Sequence, residues 1–196
     1  MFSDLTLSLP VLIAIAIGVV LLVTGVIWLI CHYRSVYRRF DRVLRRIAAD
    51  ELRDIVIPDA LDGHIHVDRL LLTEQGALVV EFKNVAGTVF AGERLDEWAV
   101  LDERGRHPFR NPLGGLQDRI LAVRALAPEL PVDGRIIFSD ASEFPKGRPD
   151  KVCLLQELAD RPRPADAGAF STAWEALTQR VASAQKEVSP LPQGEG

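Results

Sequence analysis

The fold is decided by the stretch VDRLLLTEQGALVVEFK, Val67–Lys83. Two apolar runs flank TEQG, a segment with turn chemistry, so the stretch predicts a β-hairpin with strands over His64–Leu72 and Ala77–Phe82. If the turn closes symmetrically, Leu72 faces Ala77, Leu70 faces Val79, Asp68 faces Glu81 and His66 faces Lys83. Side chains alternate along a strand, which puts His66, Asp68, Glu81 and Lys83 on one face and Val67, Leu71, Leu78, Val80 and Phe82 largely on the other. Two carboxylates directly opposed would have Cβ atoms about 5 Å apart and would repel unless compensated. A divalent cation is one compensation: two carboxylates plus water suit Mg²⁺ or Mn²⁺. Lys83, two residues beyond Glu81, could then orient a water or stabilise charge on a phosphate. A solvated sheet face whose acids are neutralised by Arg69 or Lys83 accounts for the same spacing, so both readings stand at this point.

Around the hairpin the pattern is mixed. Val36–Leu52 has helical spacing, with Phe40, Val43, Leu44 and Ile47 on one side. Short strands are expected over Gly87–Ala91 and Glu97–Leu101, the second turning at DERG. A helix is expected over Pro112–Ala127, opened by Asn111 and Pro112 and stopped by APELP. Gly134–Phe138 and Lys151–Leu155 read as buried strands, Phe170–Lys186 as a last helix, and 189–196 as a disordered tail.

The N-terminal part is of a different kind. Leu9–Ile30 contains no charged residue, and about 20 such residues suffice to cross a bilayer. No basic residue precedes the run and no small-residue cleavage site follows it, so an uncleaved anchor is expected rather than a signal peptide. Arg34, Arg38, Arg39, Arg42, Arg45 and Arg46 crowd its far side, which by the positive-inside rule places the rest of the chain in the cytoplasm of a single-pass cell-membrane protein. The cluster also suits contact with anionic headgroups. In a reducing compartment Cys31 and Cys153 are expected to be free thiols. The organisation anticipated is a non-cytoplasmic segment 1–8, a transmembrane helix 9–30, a basic juxtamembrane helix 31–52, a catalytic-type domain 53–160, a C-terminal helical region 161–188 and the tail. A formal net charge of −4 argues against a protein whose main task is coating nucleic acid, though not against a local phosphate site.

From about Asp62 to Gln117 the chain resembles the nuclease-related domain, NERD, a branch of the PD-(D/E)xK nuclease superfamily. The likeness is carried by VDRLLL, by GALVVEFKNVAGTVFAG, by Trp98 and by NPLGGLQ. The resemblance implies an α/β, restriction-endonuclease-like fold with a central mixed sheet flanked by helices, and Mg²⁺-dependent cleavage of DNA phosphodiesters. It implies Asp68 and Glu81 as metal ligands, Lys83 as the catalytic lysine and Gln117 as a helix-borne residue reaching the site. The sequence departs from the family pattern in two places. The glutamate usual in the helix before the first strand is missing, leaving Asp41 in that region and Glu51 later, and NPLGGLQ carries an additional GG. Asp41, His66 and Asn84 are accessory candidates, the latter two near a phosphate. His64 with His66 forms an H-x-H pair more readily explained by a half-exposed strand, Trp98 reads as core, and the polar loop with Ser139, Asp140, Ser142 and Glu143 follows a strand without a demanding spacing. The expected function is a membrane-anchored metal-dependent nuclease; the alternative is a degenerate domain that binds nucleic acid or a protein without cutting.

Overall fold

The computed structural model describes residues 9–59, 63–159 and 168–188; the anticipated segments 1–8 and 189–196 lie outside them. The chain divides into two compact units, 1–40 and 41–196. The described part of the first unit, residues 9–40, is helical and belongs to α1 (Leu9–Ile47). Its segment from Ile13 to Ile30 exposes large apolar side chains and is long and apolar enough to cross a membrane. Cys31 is exposed and free.

The expected helix over Val36–Leu52 ends earlier than its spacing suggests. The last helical bond is donated by the Ala48 amide to the Leu44 carbonyl, and the next amide, of Ala49, donates instead to the Leu72 carbonyl. From there the chain is a strand, β1 (Asp50–Pro58), that the helical reading of Leu52 had hidden. Asp50 marks the change: its carboxylate takes the Glu51 amide at 2.8 Å and the Trp174 indole N–H at 2.8 Å.

Strands β2 (His64–Thr73) and β3 (Gly76–Lys83) form the expected hairpin, turning at Gly76, whose φ of +109° and close approach to the Pro131 carbonyl admit no side chain. The second sheet is built from β4 (Gly87–Phe90), β5 (Glu97–Asp102), β6 (Gly105–Arg110) and the two-residue β8 (Ser142–Glu143), in the order β6-β5-β4-β8. After α2 (Pro112–Leu126) come β7 (Val132–Phe138), β9 (Val152–Leu154), the short α3 (Leu155–Ala159), and α4 (Ser171–Val188). The first sheet has the order β1-β2-β3-β7-β9, antiparallel through β3 and parallel from there on. This is an α/β fold of mixed sheets flanked by helices.

One core holds the second unit together. Leu70, Leu72, Val79 and Ile136 from the first sheet meet Leu116, Ile120 and Val123 of α2, Val89 and Trp98 of the second sheet, and Trp174, Leu177 and Val181 of α4. Trp98 is core, as expected, and its indole N–H donates to the Gly92 carbonyl at 2.9 Å. Helix α2 lies against β7 across Gly134, where an added Cβ would come within 2.7 Å of Ile120 and 2.9 Å of Leu116. Asn111 caps α2 by accepting the Leu113 amide at 2.9 Å, with Pro112 in the first turn, and its own amide donates to the Leu95 carbonyl at 2.7 Å. Of the residues that carried the family likeness, Asn111 thus fixes where α2 starts, while Trp98 lies in the core.

Candidate nuclease site between two parting strands

The β2–β3 ladder follows the expected register through Leu72↔Ala77 and Leu70↔Val79 and then stops at Arg69↔Val80. The anticipated facing pairs Asp68–Glu81 and His66–Lys83 are therefore not ladder partners. The reason lies in what each strand does next. Toward its start β2 stays on β1, down to His64↔Pro58, whereas β3 stays on β7, with Glu81↔Ile136 and Lys83↔Phe138, so the two strands part. Val67, expected on the face opposite Leu70, belongs to the same core cluster as Leu70 and Leu72. The strict alternation of the sequence reading fails at Asp68.

The parting leaves a gap in which the chemistry-bearing side chains collect. On the β3 side Glu81 is nearly buried, its side chain 11% exposed, and its Oε1 is 2.6 Å from the Lys83 Nζ. A buried carboxylate requires such compensation. On the β2 side the His66 Nδ1 is 3.0 Å from an Asp68 carboxylate oxygen, and its Nε2 is 3.7 Å from Asp54. Spanning the gap is Arg119 of α2, which the sequence did not single out: its Nε donates to the His66 carbonyl at 2.7 Å and its Nη1 lies 3.3 Å from the Glu81 Oε2. Arg119 lies one helical turn after Gly115, where a Cβ would sit 3.1 Å from its Nη1. No local pattern in the sequence marks Arg119; its place depends on where α2 crosses β7 at Gly134.

The remaining candidates are placed as follows. Asp41, at the C-terminal end of α1, is 3.4 Å from Arg69 and 3.8 Å from Arg53. Glu51 on β1 joins the same network, 3.0 Å from the Arg69 Nε and 2.5 Å from Arg53. Its partner Arg53 has its pKa raised, chiefly by the Glu51 hydrogen bond. The two acids upstream of the hairpin are thus held by Arg53 and Arg69. Gln117 is exposed on α2, outside the helix's buried stripe of Leu116, Ile120 and Val123. Asn84 is half-buried just past the end of β3. The polar loop after β7 braces that end: the Ser139 and Ser142 hydroxyls donate to the Val85 carbonyl at 2.6 and 2.8 Å, and the Ser139 amide to the Lys83 carbonyl at 3.0 Å. His64 is exposed.

The donor set suits a hard divalent ion in type, since Asp68 and Glu81 offer carboxylate oxygens and the Arg119 guanidinium already stands on Glu81 as a cation. Among the described residues no group of three or more His, Cys, Asp or Glu side chains converges on one point. Two carboxylates would therefore share such an ion with water and substrate oxygens, the mode in which Mg²⁺ is commonly held.

No curated protein and no solved structure matches the chain. The family model of NERD, the nuclease-related domain, matches residues 36–139, which run from α1 to the end of β7 and include every residue of the gap. With more than half of its length matched, the chain belongs to the nuclease-related domain family, within the PD-(D/E)xK-like nuclease group.

Proposed function

We propose that the chain is a membrane-anchored, metal-dependent nuclease that hydrolyses phosphodiester bonds, with DNA as substrate and Mg²⁺ or Mn²⁺ as cofactor. The observation that carries this reading is the Glu81–Lys83 pair, 2.6 Å apart, at the point where β2 and β3 part in a chain of this family. Asp68 and Glu81 would hold the ion, which when bound polarises the scissile phosphate and lowers the pKa of a water. Lys83 orients that water for in-line attack and offsets charge building on the phosphate. The near-burial of Glu81 keeps bulk water from weakening these contacts. The apolar stretch of α1 would supply the anchor, and the arginines after it support a cytoplasmic position for the domain.

A second reading has its own support. Both Glu81 oxygens already lie against cations and Asp68 is turned to His66, as suits a domain that binds nucleic acid or a protein without cutting. One experiment separates the two: plasmid nicking by the full chain in detergent micelles with Mg²⁺ or Mn²⁺, beside Glu81→Gln and Lys83→Met. The nuclease reading expects each substitution to slow nicking by about 10²-fold or more. Wild-type protein that binds plasmid but never nicks it, under either ion, selects the second reading.

A further inference from the structure

Among the described residues of the gap, Arg119 touches both parted strands, at the His66 carbonyl and at Glu81. Its two contacts are unequal. The Nε bond to the His66 carbonyl, at 2.7 Å, is short, whereas the Nη1 contact to Glu81, at 3.3 Å, is long and competes with Lys83, which holds the other oxygen at 2.6 Å. Two cations thus share one carboxylate, which leaves a positive charge to spare. The Arg119 side chain is 22% exposed, so solvent and an anionic ligand can reach it. The planar guanidinium has further donors in a geometry suited to phosphate oxygens. Its neighbour one turn earlier on α2 is Gly115, which leaves the end of the side chain room to turn, while any larger residue would press on Nη1.

We propose that Arg119 is a phosphate-contacting residue of this site that Glu81 holds in reserve. Anchored through Nε to the His66 carbonyl, Arg119 gives up Glu81 when a divalent ion takes that carboxylate, and its freed Nη1 donates to a non-bridging oxygen of the nucleic-acid backbone. The inference rests on the nuclease reading above and deepens it by naming a substrate contact on α2.

The test uses the full chain in detergent micelles as wild type, Arg119→Met, Arg119→Lys and Gly115→Ala, with thermal melts to confirm folding. Mn²⁺ is titrated by calorimetry. Labelled duplex DNA and duplex RNA of one sequence are titrated separately at several salt concentrations with Ca²⁺ present to take the Glu81 carboxylate, and gels confirm that the nucleic acid stays uncut, so that no turnover enters the readout. For Arg119→Met, nucleic-acid affinity should fall about 10-fold and the slope of log K against log salt should shrink by about one phosphate contact, on whichever backbone is the ligand. Mn²⁺ should bind about five-fold more tightly, because a competing unit charge a few ångströms away is gone. Gly115→Ala should move both in the same direction by about two-fold, and Arg119→Lys should keep the salt slope. If Arg119→Met does not fold, the lysine and alanine variants carry the test. Unchanged DNA and RNA binding in the variants overturns the proposal whatever the metal does, and leaves Arg119 as a tie between strands. Wild type that binds neither Mn²⁺ nor nucleic acid overturns the proposal together with the nuclease reading; wild type that binds both, with variants that match it, overturns this proposal alone.

Discussion

Asp54 has a φ of +49°, the one positive value among the described non-glycine residues. It sits in the middle of β1 between the pairs Arg53↔Arg69 and Ile55↔Val67, opposite Asp68. The core face changes parity there: Leu52 packs against the core before Asp54, Ile55 and Ile57 after it. A left-handed residue lets the strand make that change, and aspartate is among the few side chains that tolerate it, at a cost of about 1–2 kcal/mol. The strained position lies 3.7 Å from His66, so the distortion of β1 and the parting of β2 from β3 occur side by side. Asp54→Gly should leave stability unchanged or raised by about 0.5 kcal/mol, whereas Asp54→Val should lower it by about 1–2 kcal/mol. Urea denaturation followed by tryptophan fluorescence reads both; equal midpoints for the two variants would show that the conformation at Asp54 is not strained.

At the scale of elements, α2 decides the site because it delivers Arg119. Its seat is Gly134 on β7, with Ile120 and Leu116 close enough that a valine there must push the helix outward. Overpacking of this kind costs about 1–3 kcal/mol. Gly134→Val should therefore lower the urea midpoint, weaken nucleic-acid binding and, by carrying Arg119 away from Glu81, tighten Mn²⁺ binding, although residue 134 touches neither ligand. A variant that loses stability but binds like wild type would mean that α2 does not set the gap. These elements also show what the sequence could and could not reveal. The hairpin register from Arg69 to Leu72, the Asn111–Pro112 helix start and the burial of Trp98 follow from local rules and were legible. β1 was missed because Leu52 continues the helical spacing of Val43, Leu44 and Ile47, and β6 because Pro108 and its exposed arginines resemble a loop. The parting of β2 and β3, and the placement of Arg119 in it, were not legible: they depend on β1 and β7 as competing neighbours and on a helix crossing at Gly134.

For the whole molecule, the same parallel arrangement that opens the gap must be held at its far edge, where β9 is only three residues long. Asp133 on β7 does part of this, paired with Lys151 just before β9 and with Arg135 at 2.9 Å. Burial alone would raise the Asp133 pKa, but the Lys151 hydrogen bond, the Gly134 amide and the two cationic neighbours outweigh it and hold the carboxyl below its ordinary 3.8. As pH falls, the unfolded chain takes up this proton before the folded one. The contribution is therefore complete above about pH 4 and disappears as acid titrates the folded carboxyl. Because the pair is half-exposed and screened, it is worth about 0.5 kcal/mol. Asp133→Asn should be less stable than wild type at pH 7 by that amount, and the difference should close as pH falls below 3.8 and acid titrates the folded carboxyl; a difference that persists in acid would assign the loss to packing instead.

The strand order has a consequence for how the protein is made. Glu81 and Lys83 lie on β3, but the strand that flanks them, β7, and the helix that brings Arg119 follow only after the whole β4–β6 segment has been synthesised. A nascent chain that has just completed the meander β1–β2–β3 carries Glu81 and Lys83 on an open sheet edge, with Arg119 not yet synthesised. The arrangement of Glu81, Lys83 and Arg119 is thus a late product of biogenesis, completed after the apolar part of α1 has left the ribosome.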